Sequence, residues 1–302
     1  MTHWSLAVLA IVAASADAAP RRISATAATT PATARIIRTT RPATAPTTAR
    51  AKIAPEAKPL LDAMKAAYAT LKSIELAGVI TGEFDVAGSK HHKNAEFSAA
   101  FLAPASLRHD VKDEMLVLAN ADHLYVLGRQ TNEYAAYDAP KARTPGARLP
   151  GSVRELLLPA TPPANISSNP SLLLALSPDA AEELATQASE IARGADVVVD
   201  GKAHPSLELS FAAMSVKMTI LLDPQTHLVR RTIADVKGLM EQARTPDVKV
   251  ATITVDYAKV SPEAKLDAAH FAWTPPAGAR PISPSSAPPE RDHGHDDEED
   301  ER

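Results

Sequence analysis

The sequence predicts an α+β fold: one mostly antiparallel sheet of about eleven strands with helices packed against it. Three observations point there. Segments with apolar residues at every second position follow one another across short links, which join antiparallel neighbours. Two other stretches repeat apolar residues at three- and four-residue steps, the period of an amphipathic helix. The 302 residues contain no cysteine, so no disulfide can staple the fold and no lipid can be attached at a lipobox.

The chain opens with an apolar run from Trp4 to Ala14 broken only by Ser5, followed by Ser15-Ala-Asp-Ala-Ala19, whose small residues at 16 and 18 fit an A-x-A cleavage site. That run is shorter than the roughly 20 residues a membrane-crossing helix needs. Residues 1–18 therefore read as a signal peptide, with a short membrane-associated anchor as the alternative. Residues 19–54 hold Arg21, Arg22, Arg35, Arg38, Arg41, Arg50 and Lys52 among Ala, Thr and Pro, with no acid and no aromatic residue. Such a segment cannot build a core and reads as a disordered basic linker, either a tether for anionic surfaces or a plain spacer.

Residues 55–282 are long enough for one domain. Pro55 opens a helix whose stripe is Ala57, Leu60, Leu61, Met64, Ala67, Tyr68 and Leu71. Alternation follows in Ile74, Leu76, Gly78, Ile80, Gly82, Phe84 and Val86, with two glycines that either curve the sheet or admit a neighbour. Further strands are expected at 93–103, 107–112, 115–120, 123–128 and 132–138. Eight prolines between Pro140 and Pro178 imply loops carrying short helices, with apolar clusters at Val153 to Leu158 and Leu172 to Leu176. Ser177-Pro178-Asp179 starts a second helix with Leu184, Ala188 and Ile191 on its buried side and a stop at Arg193-Gly194. Asp200-Gly201 then turns a hairpin between 196–199 and 202–211, and strands at 215–222, 227–236 and 248–259 complete the count. In the last of these the apolar phase shifts after Val250, which implies a bulge or burial of both faces. Residues 283–302 form an acidic tail in which eight of the final thirteen side chains are carboxylates.

Five short segments follow one another in order: Phe101-Leu-Ala-Pro-Ala-Ser-Leu-Arg108, Asn120-Ala-Asp-His-Leu-Tyr125, Tyr134-Ala-Ala-Tyr-Asp-Ala-Pro140, Leu221-Leu-Asp-Pro-Gln-Thr226 and Phe271-Ala-Trp-Thr-Pro-Pro-Ala-Gly278. Their succession resembles the LolA-like outer-membrane lipoprotein carriers and related periplasmic proteins. The resemblance implies that the sheet curls into an incomplete β-barrel, that helices lie in or across its mouth, and that an apolar hollow accepts acyl chains. It points to a non-catalytic periplasmic or secreted binding protein for lipid or acylated protein, or to an envelope stress-sensing module that captures a protein partner with the same fold. Leu76, Ile80, Phe84, Phe97, Phe101, Leu207, Leu209, Met218 and Ile220 are the candidate lining, and the same residues serve equally as ordinary sheet-to-helix core. Arg108 is the candidate for a lid-closing hydrogen bond.

Other chemistries lack a pattern. The histidines at 91, 92, 109, 123, 204, 227 and 270 show no metal-ligand spacing, and neither a nucleophile elbow nor a glycine-rich phosphate loop occurs. No cofactor or metal is expected. Asp267 and His270 are spaced to pair through hydrogen bonds near a turn. Nucleic-acid binding is not expected, because the basic block lies outside the folded domain.

Overall fold

The computed structural model describes residues 52–139, 168–177 and 179–282. The leader, most of the basic linker, the cluster at Val153 to Leu158 and the acidic tail lie outside the described residues. Thirteen strands form one sheet in the order β1-β8-β9-β10-β11-β12-β2-β3-β4-β5-β6-β7-β13. Its first and last members are different strands, so the sheet is open. Two meanders build it. The first comprises β2 (Ser73–Val86), β3 (Ser89–Leu102), β4 (Ser106–Val111), β5 (Met115–Ala119), β6 (His123–Gly128) and β7 (Glu133–Asp138). The second comprises β8 (Glu190–Val199), β9 (Lys202–Phe211), β10 (Val216–Leu222), β11 (Val229–Asp235) and β12 (Val248–Pro262). Antiparallel pairing of β12 with β2 joins them along a seam from Val248↔Val86 to Pro262↔Ile74.

These eleven strands are the ones whose periodicity is legible. The expected count is nonetheless too low, because β1 (Lys52–Ile53) and β13 (Arg280–Ile282) add parallel caps to β8 and β7 at the two edges. Strands of two and three residues are too short to carry a period. Pro281 within β13 removes a donor from that outer edge and so discourages further strand addition.

The phase shift in β12 is a bulge. Val248 pairs with Val86 and Val250 with Asp85, leaving Lys249 over and Val250 exposed, after which Ala251, Ile253, Val255 and Tyr257 face inward. Gly78 meets the same strand from β2. A Cβ there would lie 1.8 Å from the carbonyl oxygen of Asp256, so only glycine permits the approach.

Among the described residues four α-helices accompany the sheet: α1 (Lys58–Ala69), α2 (Pro170–Leu176), α3 (Ala180–Gln187) and α4 (Lys237–Gln242). In α1 the first turn holds Pro59, while Pro55 precedes the helix in a turn. Leu60, Leu61, Met64 and Tyr68 are its buried stripe, each large apolar side chain contributing about 1.5–3 kcal/mol when fully withdrawn from water. The second expected helix stops early. Ala188 is extended (φ −68°, ψ 141°), and Ile191 and Arg193-Gly194 belong to β8, where Ile191 pairs with Leu209. The ladder with β9 wins over a helical stripe whose last two members fit either period.

The C-terminal segment crosses the sheet face opposite α1 and α2. Asp267 caps a short 3₁₀ turn, its Oδ1 accepting from the backbone N–H of Ala269 at 3.0 Å and lying 2.8 Å from Nδ1 of His270, so the two side chains pair as their spacing implies. Trp273 then packs on Tyr125 and Tyr134, with ring centroids 4.6 and 5.5 Å away, above buried Leu116, Leu118 and Leu127. No helix among the described residues is long and apolar enough to cross a membrane.

Candidate functional site

The helix-bearing face of the sheet is apolar across both meanders. Leu76 and Ile80 come from β2, Phe97 and Phe101 from β3, Leu207 and Leu209 from β9, and Met218 and Ile220 from β10; all eight are buried, and Phe84 of β2 packs half-buried beside them. Pairing of Leu209 with Met218 and of Leu207 with Ile220 puts four of them in one block. The structure thus brings all nine expected lining residues into one cluster, and the stripe of α1 and the leucines of α2 belong to it too.

Arg108 lies elsewhere. It pairs across the ladder with Leu118, a member of the cluster beneath Trp273, and its Nη2 donates to Asp110 at 3.2 Å. Near it, an open cleft of about 430 Å³ is lined by Glu96, Phe97, Ser98, Asp110, Lys112, Asp113 and Arg129. Its charges pair among themselves, Lys112 with Glu96 and Arg129 with Asp110. Of the nine lining residues only Phe97 borders it.

A buried polar cluster within the apolar face was not legible from motifs. Every residue of α2 is buried, and its N-cap Asn169 accepts from the backbone N–H of Leu172 at 3.0 Å. The Tyr257 hydroxyl donates to the same Asn169 Oδ1 at 3.0 Å and accepts from the backbone N–H of Ser171 at 3.1 Å. Tyr68 of α1 shares a 2.6 Å hydrogen bond with Ser171 Oγ and accepts from the backbone N–H of Val229 at 3.1 Å. Asn169 donates its amide to Nδ1 of His109 at 3.3 Å, and the His109 ring meets Phe97 edge-on. Ser168 Oγ, also buried, has no hydrogen-bond partner among the described residues. One clasp therefore ties α1, α2, β4, β11 and β12 together.

Burial pushes the Tyr68 phenol up to about 12 against the opposing effect of its bonds to Ser171 and Val229. It pushes Tyr257 well above the ordinary tyrosine range as well. Both remain neutral donors at any physiological pH. The sequence did carry partial signals: His109 and Tyr257 occupy inward phases of their strands, and Asn169-Pro170 is a helix-start pair. Nothing in the sequence placed residues 68, 109, 169 and 257 together.

Two further features are local. Asp223 holds the turn after β10, accepting at Oδ1 from the backbone N–H groups of Gln225 and Thr226 at 2.9 Å each, and Lys202 donates to its Oδ2 at 2.8 Å. Burial raises this carboxyl, but Lys202 and the two N–H donors outweigh that and hold it well below the usual carboxylate range. Among the described residues, no three His, Cys, Asp or Glu side chains converge as a metal set.

No family model and no curated protein matches the chain. It is similar to several solved structures. An uncharacterized conserved protein from Thermus thermophilus is 9% identical over 76% of this chain and 99% of that one, at a TM-score of 0.42. LprF from Mycobacterium bovis is 11% identical over 71% and 96%, at 0.34. A LolA superfamily protein from Nitrosomonas europaea is 11% identical over 72% and 97%, at 0.28.

Proposed function

We propose that this chain is an exported, non-catalytic binding protein whose helix-bearing sheet face accepts an acyl chain of a lipid or acylated protein. One observation carries the reading. The apolar face spans β2–β3 and β9–β10, yet among the described residues its helix side meets short helices instead of a second sheet, two of them, α1 and α2, joined by the polar clasp. In this reading the helices shift as bodies while the sheet ladder stays intact. Each methylene moved from water into such a face contributes about 0.8 kcal/mol, so a partly enclosed chain binds usefully. In this reading residues 1–18 direct export to the periplasm, residues 19–54 are a spacer, and residues 55–282 are the carrier domain.

Native mass spectrometry of the full chain purified from its own envelope, together with displacement of a fluorescent fatty-acyl probe, tests this. Co-purifying acyl species and saturable displacement are expected. Absence of both, in protein whose circular dichroism shows the folded sheet, overturns it.

A further inference from the structure

In α2 and its N-cap, the chain carries a neutral carbonyl followed by an apolar run: the Asn169 side-chain amide, then Leu172, Leu173, Leu174 and Leu176. An acyl ester has the same order of groups. The partners of Asn169 fit that comparison. Tyr257 has one phenolic proton, which goes to Asn169 Oδ1, while its oxygen accepts from Ser171 N–H. Tyr68 spends its oxygen on Val229 N–H and faces Ser171 Oγ. If the 168–176 segment withdraws, the Tyr257 phenolic proton loses its Asn169 acceptor beside the apolar face.

The electrical character of the clasp narrows the ligand. Tyr68, Tyr257, Asn169, Ser168 and Ser171 carry no charge, and the titratable neighbour, His109, receives the Asn169 amide proton at Nδ1, as only an unprotonated ring nitrogen can. A buried carboxylate is far costlier in such surroundings than a buried carbonyl that receives a hydrogen bond. The buried Ser168 hydroxyl, next to Asn169 in the chain, has no hydrogen-bond partner among the described residues.

We propose that the Asn169–Leu176 segment is a built-in stand-in for a neutral acyl ester, and that cargo binds by replacing it. The ester carbonyl takes the Tyr257 hydrogen bond, with Tyr68 as second donor, and the acyl chain takes the place of the α2 leucines. This rests on the acyl-binding reading above and adds to it the head group and the internal competitor.

The experiment measures binding of a monoacylglycerol and its alkyl-ether counterpart of equal chain length to the full chain and to Tyr257→Phe, Tyr68→Phe and Asn169→Ala. The ester should bind wild type about fivefold more tightly than the ether, the value of one net hydrogen bond. That ratio should fall at least twofold in Tyr257→Phe, and the comparison within each variant cancels any change in how firmly α2 is held. Asn169→Ala should tighten both ligands severalfold, because α2 leaves more easily. Equal ester and ether binding by wild type, a ratio unchanged in both Phe variants, or weaker binding by Asn169→Ala overturns the proposal while leaving an acyl-binding face. Binding of neither lipid removes the acyl-binding reading itself. Should Tyr257→Phe fail to fold, Tyr68→Phe supplies the ratio.

Discussion

The phenolic oxygen of Tyr68 lies 2.6 Å from the hydroxyl of Ser171, a contact between residues 103 positions apart that fixes α1 to α2 inside the apolar face. Both groups are buried, so neither can exchange this bond for water.

Tyr68→Phe removes that bond and also leaves the backbone N–H of Val229 without its phenolic acceptor. Unfolding in urea should show a loss of about 1–3 kcal/mol, the cost of stranding buried polar groups. Tyr257→Phe should cost a similar amount by orphaning Ser171 N–H. The double variant should cost less than the sum, since both phenols bond to the same segment.

Gly78→Ala places a methyl 1.8 Å from a backbone oxygen of β12, at the seam that joins the two meanders. The strands must separate to admit it. A loss on the order of 3 kcal/mol is expected in thermal or chemical unfolding, well beyond the cost of an exposed strand substitution.

Asp223 gives a pH signature. Its folded pKa is depressed, so the native state prefers the ionised form more than the unfolded chain does. The associated stability is present above the unfolded carboxylate value of about 3.9 and is lost as pH falls through the lower folded value. Asp223→Asn should be less stable than wild type near neutrality, and its Tm should fall less steeply below about pH 4. Equal slopes for the two proteins would remove the turn from the account of acid sensitivity.

Trp273→Ala uncovers Leu116, Leu118 and Leu127 on the face away from the helices. A loss of about 3 kcal/mol is expected, the range for truncating a large aromatic in a packed cluster. Because Tyr68, Tyr257 and α2 lie on the other face, acyl binding by the folded fraction should be unchanged.

The sheet was largely legible and the clasp was not, for reasons visible in single residues. Leu207, Leu209, Met218 and Ile220 alternate strictly, and alternation survives whatever lies across the ladder. Ile191 misled because an apolar residue seven places after Leu184 fits a helix stripe, whereas its place was settled by Leu209 on another strand. Lys52–Ile53 and Arg280–Ile282 have too few residues for any period, and only β8 and β7 make them strands. The membership of the apolar cluster was readable because apolarity is a property of each residue. The clasp is a relation among Tyr68, His109, Asn169, Ser171 and Tyr257, and long-range hydrogen bonds leave no spacing in a chain.

The seam between β2 and β12 has a consequence for how the molecule comes into being. Lys259 and Glu75, which face each other across it at 2.8 Å, are 184 positions apart. A chain that emerges from its N-terminus exposes β2 long before β12 exists, so one long, apolar-faced edge waits unpaired through most of synthesis. The first meander is thus an adhesive intermediate, and its safe passage depends on whatever shields that edge until the final strand arrives.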